Sequence, residues 1–258
     1  MKAKKSYGQH FLVREDIAQR IANSLLQTAG YAKVLEIGPG QGMLTKYLLH
    51  KPYELIVVEA DRDMVGFLQR NFPAIKGQII YGDFLKTDLH LFFQDAPFAI
   101  IGNFPYNISS QILFRLLDHR AQVPELVGMF QKEVAQRVAS GPNSKDYGII
   151  SVLVQAYYDV ELLFEVDKSC FAPPPQVQSA VIRLTRKASQ TLGADPKLFK
   201  TVVKTAFSQR RKMLRNTMKQ LLKNEQLLAD AFFNLRPENL SLDDYVRLTN
   251  WVAEEREE

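Results

Sequence analysis

Between Lys33 and Phe130 the chain alternates short runs rich in β-branched and aromatic residues with stretches of helical periodicity, and this alternation limits the fold more than any other feature. The runs are Lys33–Ile37, Glu54–Val58, Gln78–Tyr81, Phe98–Ile101 and Leu126–Phe130. Helical spacing fills Met43–His50, Asp61–Asn71, Ser109–Arg120 and Lys132–Ser140. Strands that alternate with helices return to one sheet by crossovers, so the pattern predicts a parallel sheet with helices on both faces. A helix is also expected from about Asp16 to Ala29, with Asp16 as its cap. Asp159–Val166 and Ala180–Thr185 read as a strand pair joined through Phe171-Ala172-Pro173-Pro174-Pro175, an antiparallel edge on the sheet. Around Lys187–Pro196 the composition turns small and polar, and beyond it Lys197–Phe207, Arg211–Leu222, Glu225–Phe233 and Leu242–Ala253 all read as helices. The expected organisation is a Rossmann-like α/β sheet domain over residues 1–187 and a small all-helical domain over residues 188–258.

Composition narrows the class. Cys170 is the sole cysteine, which excludes an internal disulfide and any multi-cysteine metal site, and the four histidines show no pair at ligand spacing. No apolar run is long enough to span a bilayer, and Met1-Lys2-Ala3-Lys4-Lys5 lacks the apolar stretch of a secretory signal. A cytoplasmic protein with neither metal nor membrane partner is expected.

The first strand, Val34-Leu35-Glu36-Ile37, runs into Gly38-Pro39-Gly40-Gln41-Gly42. Glycines at alternate positions let the backbone turn tightly and approach a ligand. A dinucleotide fingerprint would place its last glycine one residue later, where Met43 stands. Glu36 precedes the loop, while Glu59 and Asp83 follow the second and third strands. Carboxylates at successive strand ends converge on one crevice of an open parallel sheet. An acidic crevice argues against a pyrophosphate and for a cationic nucleoside such as S-adenosylmethionine. Glu59 would hold ribose hydroxyls, Asp83 the adenine amine, and Phe84 would pack on the ring.

After the fourth strand come Asn103-Phe104-Pro105-Tyr106. The string is ordinary turn chemistry, but it is also a device for gripping a planar amine. The Asn oxygen and the carbonyl of Phe104 can accept both hydrogens of one exocyclic amine. Pro105 donates no competing N–H and biases Phe104 toward an extended conformation, and Tyr106 offers a ring face to a base. Held by two acceptors, the amine nitrogen becomes pyramidal and its lone pair can point at a methyl donor, giving an in-line displacement. Catalysis would then come mostly from orientation and electrostatics, with no metal and no titrating histidine required.

In order and spacing these residues resemble the ribosomal RNA adenine dimethylase family, most of all its bacterial small-subunit branch, over nearly the whole chain. Glu36 through Thr45 resembles its glycine loop, and Tyr7-Gly8-Gln9-His10-Phe11-Leu12 its N-terminal signature. Phe171 through Ser179 resembles its later Phe-Pro motif, and Ala206-Phe207-Ser208-Gln209-Arg210-Arg211-Lys212 its basic signature. The resemblance implies that His10, Leu12, Gly38, Gly40, Glu59, Asp83, Phe84 and Asn103 line the cofactor site. It implies that Asn103, Phe104, Pro105 and Tyr106 grip the target adenine, with Phe171 facing it from the other side. It also implies dimethylation of two adjacent adenines in a loop near the 3′ end of small-subunit (16S) rRNA, within an immature subunit, by a monomer. His10 stands where Asn is frequent, which leaves its contact with the cofactor open, and Phe104 stands where Leu is frequent.

A base must leave its stack to reach such a corner, so an unpaired adenine is the natural substrate. Arg183 through Lys223 holds twelve Lys or Arg and one acid, Asp195, whereas the segment from Asn224 holds nine acids and three Arg. The first reads as a phosphate-binding surface including Arg210, Arg211, Lys212 and Arg215, and the second as a solvated tail. A sister enzyme acting on large-subunit RNA and a non-catalytic ribosome-assembly factor on the same fold stay open. A nicotinamide dehydrogenase fails on the glycine spacing and the acidic crevice.

Overall fold

The structure, a computed structural model, describes residues 10–26 and 30–257. Residues 7–9 of the N-terminal signature and residues 27–29 of the expected first helix lie outside the described residues. The chain forms two compact units, one running to Ala135 and resuming over Asp159–Arg186, the other formed by Gln136–Tyr158 and Lys187–Glu258.

The first unit holds β1 (Phe11–Leu12), α1 (Glu15–Ala22), β2 (Lys33–Ile37), α2 (Thr45–Leu48), β3 (Glu54–Glu59), α3 (Arg62–Asn71), β4 (Ile79–Tyr81), α4 (His90–Phe93), β5 (Phe98–Asn103), α5 (Ser109–Asp118) and β6 (Glu125–Gln131). The chain then enters α6 (Lys132–Ala139) and α7 (Ile149–Gln155) and returns through β7 (Tyr158–Val166), β8 (Phe171–Ala172) and β9 (Ser179–Arg186). Seven strands form one sheet in the order β4-β3-β2-β5-β6-β9-β7. From β4 to β6 every pairing is parallel, and β9 runs antiparallel to β6. The predicted parallel sheet with an antiparallel edge is therefore present.

Strands buried on both faces must be apolar at nearly every position, and β2, β3, β5 and β6 are. Val34, Val57, Ala99, Ile101 and Val127 pack on one face with Ala18 and Ile21 of α1. The alternate residues Leu35, Ile56, Ile100 and Leu126 are also buried and by the pleat belong to the other face. A side-chain cap starts α3, where Asp61 accepts from the Asp63 N–H, whereas α5, of the same length, has none. The expected cap on α1 is not made. Arg14 stands at that position without a side-chain cap, and Asp16 instead takes two hydrogen bonds from the Arg14 guanidinium, at 2.9 and 2.8 Å.

In the second unit α7 packs with α8 (Pro196–Ala206), followed by α9 (Leu214–Met218), α10 (Glu225–Leu228) and α11 (Leu242–Glu257). The sequence placed one boundary near residue 187, but residues 136–158 fold with the C-terminal helices. The reason lies in α7, where Ile150 through Val154 are all buried, so the helix needs cover on every side. The Asp195 carboxylate caps α8 through the Leu198 N–H at 2.7 Å, and Pro196 begins the helix. The core of this unit includes Tyr147, Phe207 and Tyr245, with Phe207 stacked on Tyr245 at 6.1 Å and the buried Tyr245 hydroxyl donating to the Pro237 carbonyl at 2.7 Å. Among the described residues no helix is long and apolar enough to cross a membrane.

Candidate active site

Parallel strands bring their carboxyl ends to one edge of a sheet, and there Ile37, Glu59, Tyr81 and Asn103, the last residues of β2, β3, β4 and β5, line a cavity of about 810 Å³. Its floor is the loop after β2. Gly38, Gly40 and Gly42 have φ of +66°, +55° and +76°, and a Cβ on Gly42 would lie 2.3 Å from the Phe72 ring. The loop can therefore run tightly under the cavity only with glycine there.

Glu59 is nearly buried and accepts the Gly40 N–H at 3.0 Å on one oxygen and the Asp61 N–H at 2.9 Å on the other. Burial raises its pKa, against the pull of those two donors. A carboxylate accepts about four hydrogen bonds, so each oxygen keeps capacity for a ligand hydroxyl. Asp83 accepts the Leu85 N–H at 2.9 Å on Oδ1, and its backbone carbonyl accepts from Lys86 and Thr87, so the acid is held in a tight turn. Phe84 borders the cavity with the Arg115 guanidinium 5.5 Å from its ring centre, and Arg115 also donates to the carbonyls of Leu85 and Thr87.

Glu36 departs from the expectation. It is fully buried, accepts the Thr45 hydroxyl at 2.7 Å, and is pushed up to about 8, chiefly by burial and further by the charge of Glu59. Near neutral pH it is mostly protonated, so it adds little negative charge to the crevice.

At the end of β5 the Asn103 side-chain amide donates to the His10 carbonyl at 3.1 Å, which leaves its oxygen as the acceptor. The Phe104 N–H extends the ladder to the Met129 carbonyl at 3.2 Å, and its ring is buried edge-on to Phe130. With the ring so used, residue 104 has its backbone to offer the cavity. Tyr106 is half-buried, hydrogen-bonded through its hydroxyl to the buried Ser179 and stacked on His10 with ring centres 5.5 Å apart. Burial raises the Tyr106 pKa, with the Ser179 hydroxyl opposing it. His10 Nδ1 donates to the Pro173 carbonyl at 3.0 Å. Its ring is thus committed to Tyr106 and to the proline-rich loop, and its backbone to Asn103.

A two-residue ribbon seats this corner. β1 and β8 pair antiparallel, Phe11 opposite Ala172 and Leu12 opposite Phe171. Phe11 lies over Gly40, where an added Cβ would be 3.2 Å from its ring, and Leu12 borders the cavity. Phe171 is not among the cavity-lining residues. It is 3% exposed within the apolar core, because alternation along β8 turns it inward and the exposed Ala172 outward.

In the second unit the four basic residues expected to meet RNA divide. Arg210 bonds the Glu238 carboxylate at 3.0 Å and the carbonyls of Ser144 and Lys145, and Arg215 donates to the Asn234 side chain. Of the four, only Arg211 and Lys212 are exposed. Sequence reasoning missed Phe72 and Arg115, and it placed Phe11, Thr45 and Ser179 within motifs without giving them a role. The third loop glycine is a usable signal for Phe72, since a ring held against it requires glycine; the other four show themselves only through distant partners.

Residues 1–254 match the family model for ribosomal RNA adenine dimethylase. The chain is 54% identical over 252 residues to the ribosomal RNA small subunit methyltransferase A of Flavobacterium johnsoniae, covering 98% of this chain and 96% of that protein. It is 56% identical over 250 residues to the protein of the same name from Parabacteroides distasonis, covering 96% and 93%. Among solved structures it is similar to a dimethyladenosine transferase from Plasmodium falciparum, with a TM-score of 0.75, 26% identity and coverage of 93% and 96%. The 23S rRNA methyltransferase ErmE shares the fold, with a TM-score of 0.67, 23% identity and coverage of 94% and 99%.

Proposed function

Since the chain belongs to the ribosomal RNA adenine dimethylase family, we propose that it transfers methyl groups from S-adenosylmethionine to the exocyclic amines of two adjacent adenines near the 3′ end of small-subunit rRNA. The observation that carries this reading is the convergence of Glu59, Asp83, Asn103 and Tyr106 on one cavity. The cavity volume suits a small-molecule site, and the spare acceptor capacity of Glu59 suits a ribose diol. Glu59 would hold the ribose hydroxyls and Asp83 the adenine amine, with Phe84 and Leu12 against the base and Gly38 and Gly40 beneath. When bound, S-adenosylmethionine supplies an electrophilic methyl carbon on a sulfonium.

The remaining work belongs to the chain. Asn103 Oδ1 and the Phe104 carbonyl accept the two hydrogens of the target amine, fixing its orientation and favouring a pyramidal nitrogen. The attacking amine is neutral, so no base is needed beforehand, and its proton leaves after transfer. Tyr106, with one face on His10, presents its second face to the base. Phe171, buried, acts at most by supporting the ribbon.

The relatives named for the small subunit share more than half their residues with this chain, which favours that substrate over large-subunit RNA. The retained set of four site residues favours an enzyme over a binding factor. We further propose that the helical unit binds rRNA through Arg211 and Lys212, and that the protein works as a cytoplasmic monomer on an immature small subunit. The test is transfer of labelled methyl to isolated immature small subunits and to large subunits, with the modified nucleoside identified by mass. N6,N6-dimethyladenosine in small-subunit RNA is expected. Label confined to large subunits, or none, overturns the assignment.

A further inference from the structure

Two glycines face each other under the amine-binding corner. Gly102 of β5 and Gly128 of β6 are directly paired in the parallel ladder, and neither has a positive φ. Backbone freedom therefore does not account for them, and the missing side chain does. A Cβ on Gly102 would lie 2.7 Å from the Ile37 carbonyl oxygen, 2.7 Å from Phe104 Cε1 and 2.9 Å from Cδ1, so this glycine accommodates both the neighbouring β2 backbone and the ring, whereas Gly128 meets rings alone. A Cβ on Gly128 would lie 2.2 Å from Cε2 and 2.8 Å from Cδ2 of the same ring, and 2.7 Å from Phe130 Cε2. The two edges of the Phe104 ring thus rest on one glycine each. The ring is 1% exposed, with Phe130 edge-on at 5.0 Å and 72°.

We propose that Gly128, with Gly102, forms a socket for the Phe104 ring, and that the seated ring positions the Phe104 carbonyl that accepts the target amine. The inference rests on the reading of residue 104 given under Proposed function and deepens it: Gly128 is a positioning residue that touches neither substrate nor cofactor. The backbone N–H of Phe104 is anchored at Met129. The ring supplies the second anchor, so the peptide between Phe104 and Pro105 is held from both sides. A bulkier residue at 128 lifts the ring and tilts that peptide, and misplacement of a reacting group by about 1 Å lowers rate by up to about 100-fold.

The test uses full-length Gly128→Ala, Phe104→Leu, the double variant and Phe104→Ala, each assayed for methyl transfer and for cofactor affinity. Gly128→Ala should lower kcat by about 10–100-fold, with the cofactor Kd within about twofold of wild type. A leucine at position 104 is smaller and makes room for the added methyl at 128, so the double variant should recover most of the lost kcat. Phe104→Ala, which keeps the carbonyl but removes the ring, should lower kcat without raising KM. If Gly128→Ala does not fold, the double variant and Phe104→Ala carry the test. Wild-type kcat in Phe104→Ala or Gly128→Ala overturns the proposal. So does a loss in Gly128→Ala that adding Phe104→Leu leaves unrelieved, which would mark the glycine as packing alone. Failure of the wild-type enzyme to methylate adenine would instead defeat the underlying reading.

Discussion

Replacing Glu36 by glutamine should stabilise the protein, and by an amount that grows with pH. Glu36 is buried, and its pKa is raised from an ordinary 4.5 to about 8, first by burial. In a carboxyl group raised by folding, the native state holds its proton where the unfolded chain has released it. Stability is therefore lost as pH rises from the unfolded value toward the folded one. Integrating between 4.5 and 8, the group costs about 1 kcal/mol at pH 5, about 3 kcal/mol at pH 7 and about 5 kcal/mol at pH 9. A glutamine at this position has nearly the same shape and can accept the Thr45 hydroxyl through its oxygen, as Glu36 does at 2.7 Å, but it has no proton to lose. Urea unfolding of both proteins without cofactor, at pH 5, 7 and 9, should show Glu36→Gln gaining over wild type with a difference that widens upward. Glu59, also raised by burial, should add a slope of the same sign to both. A difference that is flat with pH, or a Glu36→Gln variant less stable at pH 9 than wild type, would refute the reasoning.

Asn103→Ala should reduce methyl transfer by at least about 100-fold, since the interaction orients the reacting amine, while calorimetry still detects cofactor binding. Glu59→Ala should weaken S-adenosylmethionine binding by about 1–3 kcal/mol and leave RNA affinity unchanged; the same titration with unaltered Kd removes Glu59 from the ribose role. Arg211→Ala with Lys212→Ala should keep the melting temperature and lower the salt slope of RNA binding by about one to two units. Arg210→Ala should instead lower stability by about 1 kcal/mol, because a part-exposed ion pair with Glu238 and hydrogen bonds to the Ser144 and Lys145 carbonyls are lost. A salt slope that falls only with Arg210→Ala would reverse that division.

The sheet and its strand-end residues were legible in the sequence because both follow from local pattern. Buried parallel strands read as apolar runs, and the topology carries their last residues to one edge, so Glu59, Asp83 and Asn103 could be assigned to one crevice without coordinates. Features that depend on distant pairing were not legible. Phe11–Leu12 and Phe171–Ala172 are too short to read as strands, and each is ordered by the other. Ile149–Gln155 carries four β-branched residues, and its two polar side chains, Ser151 and Gln155, are spent on carbonyls of residues 137–140, so its helicity comes from being enclosed and not from a solvent-facing polar side. The same limit explains Phe171, whose motif is visible while its inward orientation is set by register. It also explains Arg210, whose charge is visible in the sequence but whose partners Glu238, Ser144 and Lys145 are remote from it.

The β1–β8 ribbon has a consequence for the order in which a newly made chain becomes competent. Phe11 and Leu12 leave the ribosome well before Phe171 and Ala172, the residues that hold them in place. Through Phe11 over Gly40 and His10 against Asn103, Tyr106 and Pro173, that late pairing also completes the wall of the cavity. Every strand end that supplies an acid is in place once Asp83 has been made, yet the cavity is not closed until β8 has been synthesised. Nascent chains halted before Phe171 should therefore hold the cofactor weakly even when β2 through β6 have already paired.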